Sequence, residues 1–351
     1  MAKLAPADDL QDITSRLGLD WELLRGQRIL LTGATGFFGK WLTQALLHVD
    51  REFKLGLRLT VVSRDQKRAE ADSPWLAGRV EWAEGDIRTV SPRGEFPIII
   101  HGAAAASRDL NENQPTVMFD TVLEGTRHML DVARDGGCKL FMFISSGAVY
   151  GAQTDSHVAE TALTAPDPLD PRAAYGEAKR AAEFLCASYS RAAGFELKIA
   201  RCFAFIGPYL PIDLHFAAGN FIGQVLKNQP IAIGGDGTPL RSYLYASDLV
   251  VWLLTILLRG ESHRAYNVGS DHSVSIAQLA RAVHQVGLET VHQRAELHQP
   301  ITIAKTAAPG QAVEKYVPST GRAQKELALS ERIDLTSAIR KTTLWHLNDS
   351  I

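Results

Sequence analysis

At 351 residues the chain is long enough for one large core or for two lobes that share it. Its apolar fraction of 46%, charged fraction of 22% and formal net charge of -2 read as a soluble globular protein and give no footing for a nucleic-acid partner. The longest apolar stretch, Leu249 to Leu258, is too short to span a bilayer, the N-terminus lacks a basic-then-apolar signal pattern, and Cys138, Cys186 and Cys202 lack metal or redox spacing, which fits a reduced, cytoplasmic setting.

Residues 1–26 read as an added segment, with a helix around Leu10–Leu17 and a turn near Gly26. Short apolar runs and helices then alternate. Ile29–Leu31 reads as a buried strand, and Lys40–His48 opens a helix. Leu59–Val62 is a second strand, and Val80–Ala83 a third that leads into Gly85, Asp86 and Ile87. Phe96–Ile100 is a fourth, followed by His101 and a Gly-Ala-Ala-Ala-Ala run. Thr116–Arg134 has helical periodicity, Lys139–Ile144 is a fifth strand, Ala173–Ala193 a helix and Glu196–Ala200 a sixth strand. This alternation predicts an α/β fold: a Rossmann-type, doubly wound parallel sheet over residues 27–202, covered on both faces. From about residue 203 the pattern loosens, with Pro208, Pro211, Pro230 and Pro239 and several glycines. Residues 203–351 are expected to form mainly a smaller substrate-binding lobe, with some segments returning to the sheet.

Gly33-Ala-Thr-Gly36-Phe-Phe-Gly39 follows the first strand and precedes an amphipathic helix. Such glycines allow a tight turn and close backbone approach to a pyrophosphate, and the helix N-terminus offers free N–H groups. Gly33, Thr35, Gly36, Phe37, Phe38 and Gly39 are therefore expected at a dinucleotide. The end of the second strand bears on which one. An NAD site usually places an acid there for the ribose hydroxyl. Here Val62-Ser63-Arg64-Asp65 offers Ser63 and the cationic Arg64 to a 2′-phosphate, which favours NADP(H). NAD(H) stays open, with Asp65 on the ribose and Arg64 in solvent. Asp86 and Ile87 are expected beside the adenine.

Tyr175 and Lys179, four apart on a helix, share one face. A tyrosine with an ordinary pKa near 10 needs a cation beside it to trade protons near neutrality. Lys179 and the positive ring of a bound nicotinamide are the expected cations, and Lys179 is also expected to hold the nicotinamide ribose. Ser146, at the end of an apolar strand, is expected to hydrogen-bond the reacting oxygen. A glycine loop upstream of a serine, a tyrosine and a lysine is what hydride chemistry on a carbonyl or carbinol needs.

These residues resemble the extended short-chain dehydrogenase/reductase family, in its branch acting on nucleotide-diphosphate sugars. The resemblance covers about residues 27–346 and includes Ser145-Ser146-Gly-Ala-Val-Tyr-Gly151, Tyr175-x-x-x-Lys179, Arg201 to Pro208, Gly235 to Arg241 and Tyr266-Asn-Val-Gly269. It implies that Ala103, Ala104 and Ala105 meet the cofactor and that Ser107, Ser146 and Gly147 meet the sugar. It further implies that Arg241 and Asn220 bind the diphosphate of the substrate, although Arg241 could instead pair with Asp248 or another acid. A four-helix homodimer interface, from Thr116–Arg134 and Ala173–Ala193, is implied too.

Departures from the family pattern narrow the chemistry. The 4,6-dehydratases of the family carry an Asp-Glu pair directly after the catalytic Ser or Thr, and the decarboxylases usually keep a glutamate there. Here Gly147 and Ala148 occupy those positions and cannot transfer a proton. Thr121 and Ala204 stand where asparagines are common, which suggests a specialised sugar pocket. Reduction of a 4-keto sugar or epimerisation at C4 remains, with the same Ser146, Tyr175 and Lys179, and Arg64 tilts toward reduction. A non-catalytic cofactor sensor would be expected to lose Tyr-x-x-x-Lys, and a reductase of non-nucleotide substrates to lack the segment up to Arg241. His284, His292 and His298 have no metal-ligand spacing, so no metal is expected, and His215 reads as a loop residue.

Overall fold

The structure, a computed structural model, describes residues 3–103, 108–214, 216–291, 300–308, 310 and 312–347. Seven short strands, most of them apolar along their length, make one parallel sheet: β1 (Arg28–Thr32), β2 (Arg58–Ser63), β3 (Glu81–Glu84), β4 (Ile98–His101), β5 (Leu140–Ser146), β6 (Glu196–Cys202) and β7 (Arg264–Val268). Their order across the sheet is β7-β6-β5-β4-β1-β2-β3. The chain starts in the middle, winds to one edge and then to the other, so β1 and β4 diverge at a switch point where ligands of such sheets bind.

Both faces are buried, so the strands are apolar without alternation. Ile29, Leu31, Ile98, Ile100, Met142 and Ile144 face a layer built from Trp41, Leu42, Leu249 and Leu253. Leu30, Ile99, Phe141, Phe143 and Leu197 face Met129, Leu130, Ala182 and Cys186 on the opposite side. Trp252 is 1% exposed inside the helix Ala246–Arg259, as its apolar surroundings suggest. No helix among the described residues is long and apolar enough to cross a membrane.

Strand β7 is supplied by the second half of the chain and pairs with β6 from Arg264↔Lys198 to Val268↔Cys202. The rest of that half contains more helix than its prolines and glycines suggest. Ala217–Leu226, Ile276–Thr290 and Leu335–Leu347 surround a separate core containing Ile222, Leu279, Val283 and Ile339. Ser275 and Gln278 close a capping box at the start of the second of these. A small sheet in this lobe sets Leu240–Arg241 between Val274–Ser275 and Lys315–Tyr316.

The N-terminal segment, read from sequence as an addition, is part of the main core. Its helix Ala7–Leu17 buries Ile13 and Leu17, and Trp21 and Leu24 follow at 1% and 0% exposure. Buried carboxylates tie it to the second half of the chain. Asp9 accepts the Tyr245 hydroxyl at 2.7 Å and pairs with Lys341 at 2.9 Å. Arg16 pairs with the fully buried Asp248 at 2.5 Å, and Asp248 also accepts the backbone N–H groups of Arg332 and Ile333.

Candidate active site

What each glycine would collide with explains the turn after β1. Gly33 has φ +79°, and a Cβ there would come within 2.9 Å of the Gly102 backbone. At Gly39 a Cβ would lie 2.1 Å from the Gly33 carbonyl oxygen, which would drive the helix Phe37–Phe53 off the turn. Gly36 differs, because its Cβ would meet only the Gly33 oxygen at an ordinary 3.5 Å. The fold itself does not demand glycine there. The bare backbone leaves an open cradle at the start of a 17-residue helix that has no side-chain cap. That cradle fits a pyrophosphate. Thr35 and Gly36 are exposed at its lip, while the rings of Phe37 and Phe38 are half-buried, Phe38 edge-on to Phe205 with centroids 4.9 Å apart.

The floor of the groove is a buried polar chain that sequence reasoning missed. Thr32 Oγ1 accepts the N–H groups of Gly102 at 3.1 Å and Ala103 at 3.0 Å, and lies 2.8 Å from His101 Nδ1. His101 Nε2 lies 3.1 Å from Thr126 Oγ1, whose own hydrogen goes to the Val122 carbonyl. The imidazole therefore carries its hydrogen on Nε2 and accepts from Thr32 at Nδ1. Burial, with the Lys179 charge adding to it, pulls His101 down to about 3, so it stays neutral and pins the ends of β1 and β4 together. Ala104, Ala105, Ser107, His215, His292 and His298 lie outside the described residues.

At the end of β2, Ser63 donates to the Asp65 carbonyl at 3.0 Å. The Asp65 carboxylate accepts the Arg68 N–H at 2.9 Å and caps the helix Gln66–Asp72. Arg64 is exposed. Hydrogen bonds from Arg88 hold the Asp86 carboxyl down at about 2, and the Arg64 charge contributes. Ile87 packs its Cγ2 against Gly125, where a Cβ would stand 2.9 Å away.

β5 ends in Ser146, and the helix Ala174–Ala193 brings Tyr175 and Lys179 over the same strand end. Lys179 is 2% exposed, donates to the Ile144 carbonyl at 2.8 Å, and lies 5.9 Å from the Tyr175 ring centroid. Burial pulls its ammonium down to about 8, against the opposing pull of Cys202, Cys186 and Glu183. Tyr175 is half-buried. Burial pushes its phenol above the usual range, Tyr316 adds to the rise, and a hydrogen bond from Ser146 opposes it. The ammonium is directed at a main-chain carbonyl, and desolvation of the phenol dominates.

Two further supports were not singled out from the sequence. Asn111 accepts the Tyr175 N–H at 3.1 Å and donates to the Arg172 carbonyl at 2.9 Å, fixing the start of the helix. Glu183 accepts from Ser145 Oγ at 2.6 Å and pairs with Arg201 at 2.7 Å. Arg201 donates to the Tyr150 hydroxyl, and Tyr150 to Asn267 Oδ1, which joins the ends of β5, β6 and β7. The signal available for Glu183 is its spacing, since it continues the Tyr175/Lys179 face by one more turn.

On the other side of Ser146, a Cβ at Gly147 would stand 2.7 Å from the Phe203 ring. Phe203 is flanked by Tyr150 and Tyr316, with centroids 6.3 and 4.8 Å away. Tyr316 arrives from the second lobe and places its hydroxyl 3.3 Å from Ser146 Oγ. Asn220 is half-buried in the helix Ala217–Leu226. Arg241 is ion-paired to Glu314, not to Asp248, which is committed to Arg16.

Residues 29–269 match the model of the NAD dependent epimerase/dehydratase family. UDP-glucuronic acid decarboxylase 2 of Arabidopsis thaliana is 31% identical over an alignment covering 74% of this chain and 57% of that protein. UDP-glucuronic acid decarboxylase 1 of Xenopus tropicalis is 31% identical over 74% of this chain and 60% of that protein. The chain thus spans less than two thirds of the length of these relatives. Among solved structures, the UDP-N-acetylglucosamine 4-epimerase from Methanobrevibacter ruminantium, in complex with UDP-N-acetylmuramic acid, aligns with a TM-score of 0.77 at 17% identity, over 93% of this chain and 99% of that one. The UDP-glucose 4-epimerase from Thermotoga maritima, with UDP-glucose, aligns with a TM-score of 0.73 at 23% identity, over 93% of this chain and 100% of that one. At such identities these two similarities establish a shared fold.

Proposed function

The chain belongs to the NAD-dependent epimerase/dehydratase family, and from that premise we propose that it is a nucleotide-diphosphate-sugar oxidoreductase, acting as a 4-ketoreductase. The observation that carries this reading is Gly147 pressed against Phe203. A side chain directly after Ser146 would have to displace that ring, and Ala148 carries no acid at the second position of the pair, so this reading assigns proton exchange at the sugar to Tyr175.

When bound, a nicotinamide dinucleotide supplies reversible two-electron hydride exchange with the sugar carbon. The backbone from Gly33 to Gly39 would hold its pyrophosphate, and Lys179 its ribose. Tyr175 gives a proton to the sugar oxygen in reduction or takes it in oxidation, while Ser146 holds that oxygen by a hydrogen bond. Arg241 and Asn220 take the diphosphate. Asp65 is engaged in a helix cap and Arg64 is exposed beside it, which favours NADP(H) over NAD(H) in this chain. A 4-epimerase is the second reading, supported by the NAD in the family's description and by the same three side chains. The helices Pro115–Asp135 and Ala174–Ala193, with Val117 and the 71% exposed Phe184, support a homodimer. A monomer at micromolar concentration in light scattering would count against it.

The test is turnover with NADPH or NADH and a panel of UDP-, dTDP-, GDP- and CDP-sugars, including 4-keto sugars and UDP-glucuronic acid. Deuterium from labelled NADPH should appear at C4 of the product, and Tyr175→Phe should keep cofactor binding while losing most turnover. Release of CO2 from UDP-glucuronic acid, or turnover undiminished in Tyr175→Phe, would refute the assignment.

A further inference from the structure

Three hydroxyl groups meet at the end of β5, and only two belong to the centre described above. The third is that of Tyr316. Its two-residue strand is aligned with Leu240–Arg241, Tyr316 opposite Arg241, so it comes from the lobe assigned to the substrate. Its ring lies against Phe203, the side chain that fills the space beside Gly147.

Ser146 has one hydrogen to give. Its oxygen accepts the Ala148 N–H at 3.1 Å, which fixes the rotamer. Among the described residues, one phenol oxygen lies within hydrogen-bond distance of that single hydrogen. Tyr316 stands 3.3 Å away, and its own hydrogen reaches the Cys202 carbonyl at 3.4 Å, which leaves its oxygen free to accept. Ser146 also acts on the Tyr175 phenol, whose ionised form it favours. We propose that Tyr316 is a positioning residue that competes with Tyr175 for the hydrogen of Ser146, so that the second lobe sets where the serine points. This rests on the reading of Ser146 and Tyr175 given above. Tyr316 remains a neutral phenol throughout, since burial lifts it to about 12. The charged and titratable groups facing the pair are Cys202 from β6, Lys179 from the helix and Arg241 from the small sheet. None of them hydrogen-bonds the serine oxygen among the described contacts, so the direction of its hydrogen is decided between the two phenols.

The consequence is that Tyr316 withholds from Tyr175 a hydrogen bond that would stabilise its ionised form. In Tyr316→Phe that hydrogen has one acceptor left. The experiment is the 13Cζ resonance of Tyr175, identified by its loss in Tyr175→Phe, in protein saturated with NADP+ and titrated between about pH 6 and 10. Tyr316→Phe should raise the ratio of phenolate to phenol about threefold at a given pH, and Ser146→Ala should lower it. Phe203→Leu, which loosens the ring packing but keeps the Tyr316 hydroxyl, should leave the ratio near that of the parent. If Ser146→Ala lowers the ratio while Tyr316→Phe leaves it unchanged or lowers it, the competition is refuted and the serine–tyrosine reading stands. If Ser146→Ala has no effect, the reading of the centre itself fails. An equal rise in Phe203→Leu would assign the effect to packing and also overturn the proposal.

Discussion

A diphosphate arriving at Arg241, as proposed above, meets Glu314 already paired with it. The two side chains form an ion pair in which the arginine is 22% exposed and the carboxylate 69% exposed. An ion pair with one partner so open to water contributes about 0.2–1 kcal/mol. A carboxylate left near the incoming diphosphate adds about 0.5 kcal/mol of repulsion at roughly 7 Å in water-like surroundings. Removing the charge should therefore favour a diphosphate ligand by about 1 kcal/mol, or roughly fivefold in Kd. The perturbation is Glu314→Gln, and the assay is isothermal titration with UDP, with uridine as a ligand lacking phosphate. UDP should bind several-fold more tightly to Glu314→Gln, the gain should shrink as salt is added, and uridine should not distinguish the two proteins. Arg241→Ala should weaken UDP and leave Glu314→Gln without effect in the double variant. An effect of Glu314→Gln that survives in the Arg241→Ala background would refute the reasoning, as would a gain equal for uridine.

Lys179 has a folded value of about 8 against an ordinary 10.5, so between those values the unfolded chain binds more protons, and stability rises as the pH climbs through that window. Below it the buried charge costs about 3 kcal/mol, and Lys179→Met, after leaving the Ile144 carbonyl unpaired, should raise the melting temperature at pH 7 by a few degrees while abolishing turnover; a lower melting temperature would contradict this. Gly147→Ala should destabilise by about 1–3 kcal/mol through collision with Phe203, and Phe203→Leu should recover part of the loss in a thermal melt. Arg64→Ala should weaken NADP(H) far more than NAD(H) in fluorescence titration, and equal weakening would remove the 2′-phosphate role.

The first two hundred residues were readable because each strand is an apolar run bounded by glycines or polar residues, and because the groove depends on backbone shape. Gly33 and Gly39 have no freedom to be anything else, and Tyr175 and Lys179 share a helix face by spacing alone. What could not be read depends on residues brought together from far apart in sequence. β7 is only five residues long and pairs across the chain. Helix Ala7–Leu17 looked like an appendage because the partners of Asp9 and Arg16 lie over two hundred residues away, at Tyr245 and Asp248. Thr32, His101 and Thr126 join into one hydrogen-bonded chain only when the sheet and its helix are in place. Helical spacing likewise shows that Lys179 is near Tyr175 but not that its ammonium faces the Ile144 carbonyl.

The same separation bears on why overall similarity to the decarboxylases leaves the reaction open. A carboxylate directly after Ser146 needs a Cβ at position 147, and that space holds the Phe203 ring. Phe203 is itself buried between Tyr150 and Tyr316, and Tyr150 is bonded into the Arg201–Glu183 network beneath β5. The first position of the missing pair is thus coupled to an aromatic stack and to a buried ion pair, so a carboxylate placed at 147 alone would create a collision before it created a base. The chemistry of this site is held by packing across four segments of chain, and a comparison averaged over some 260 aligned residues gives those few positions almost no weight.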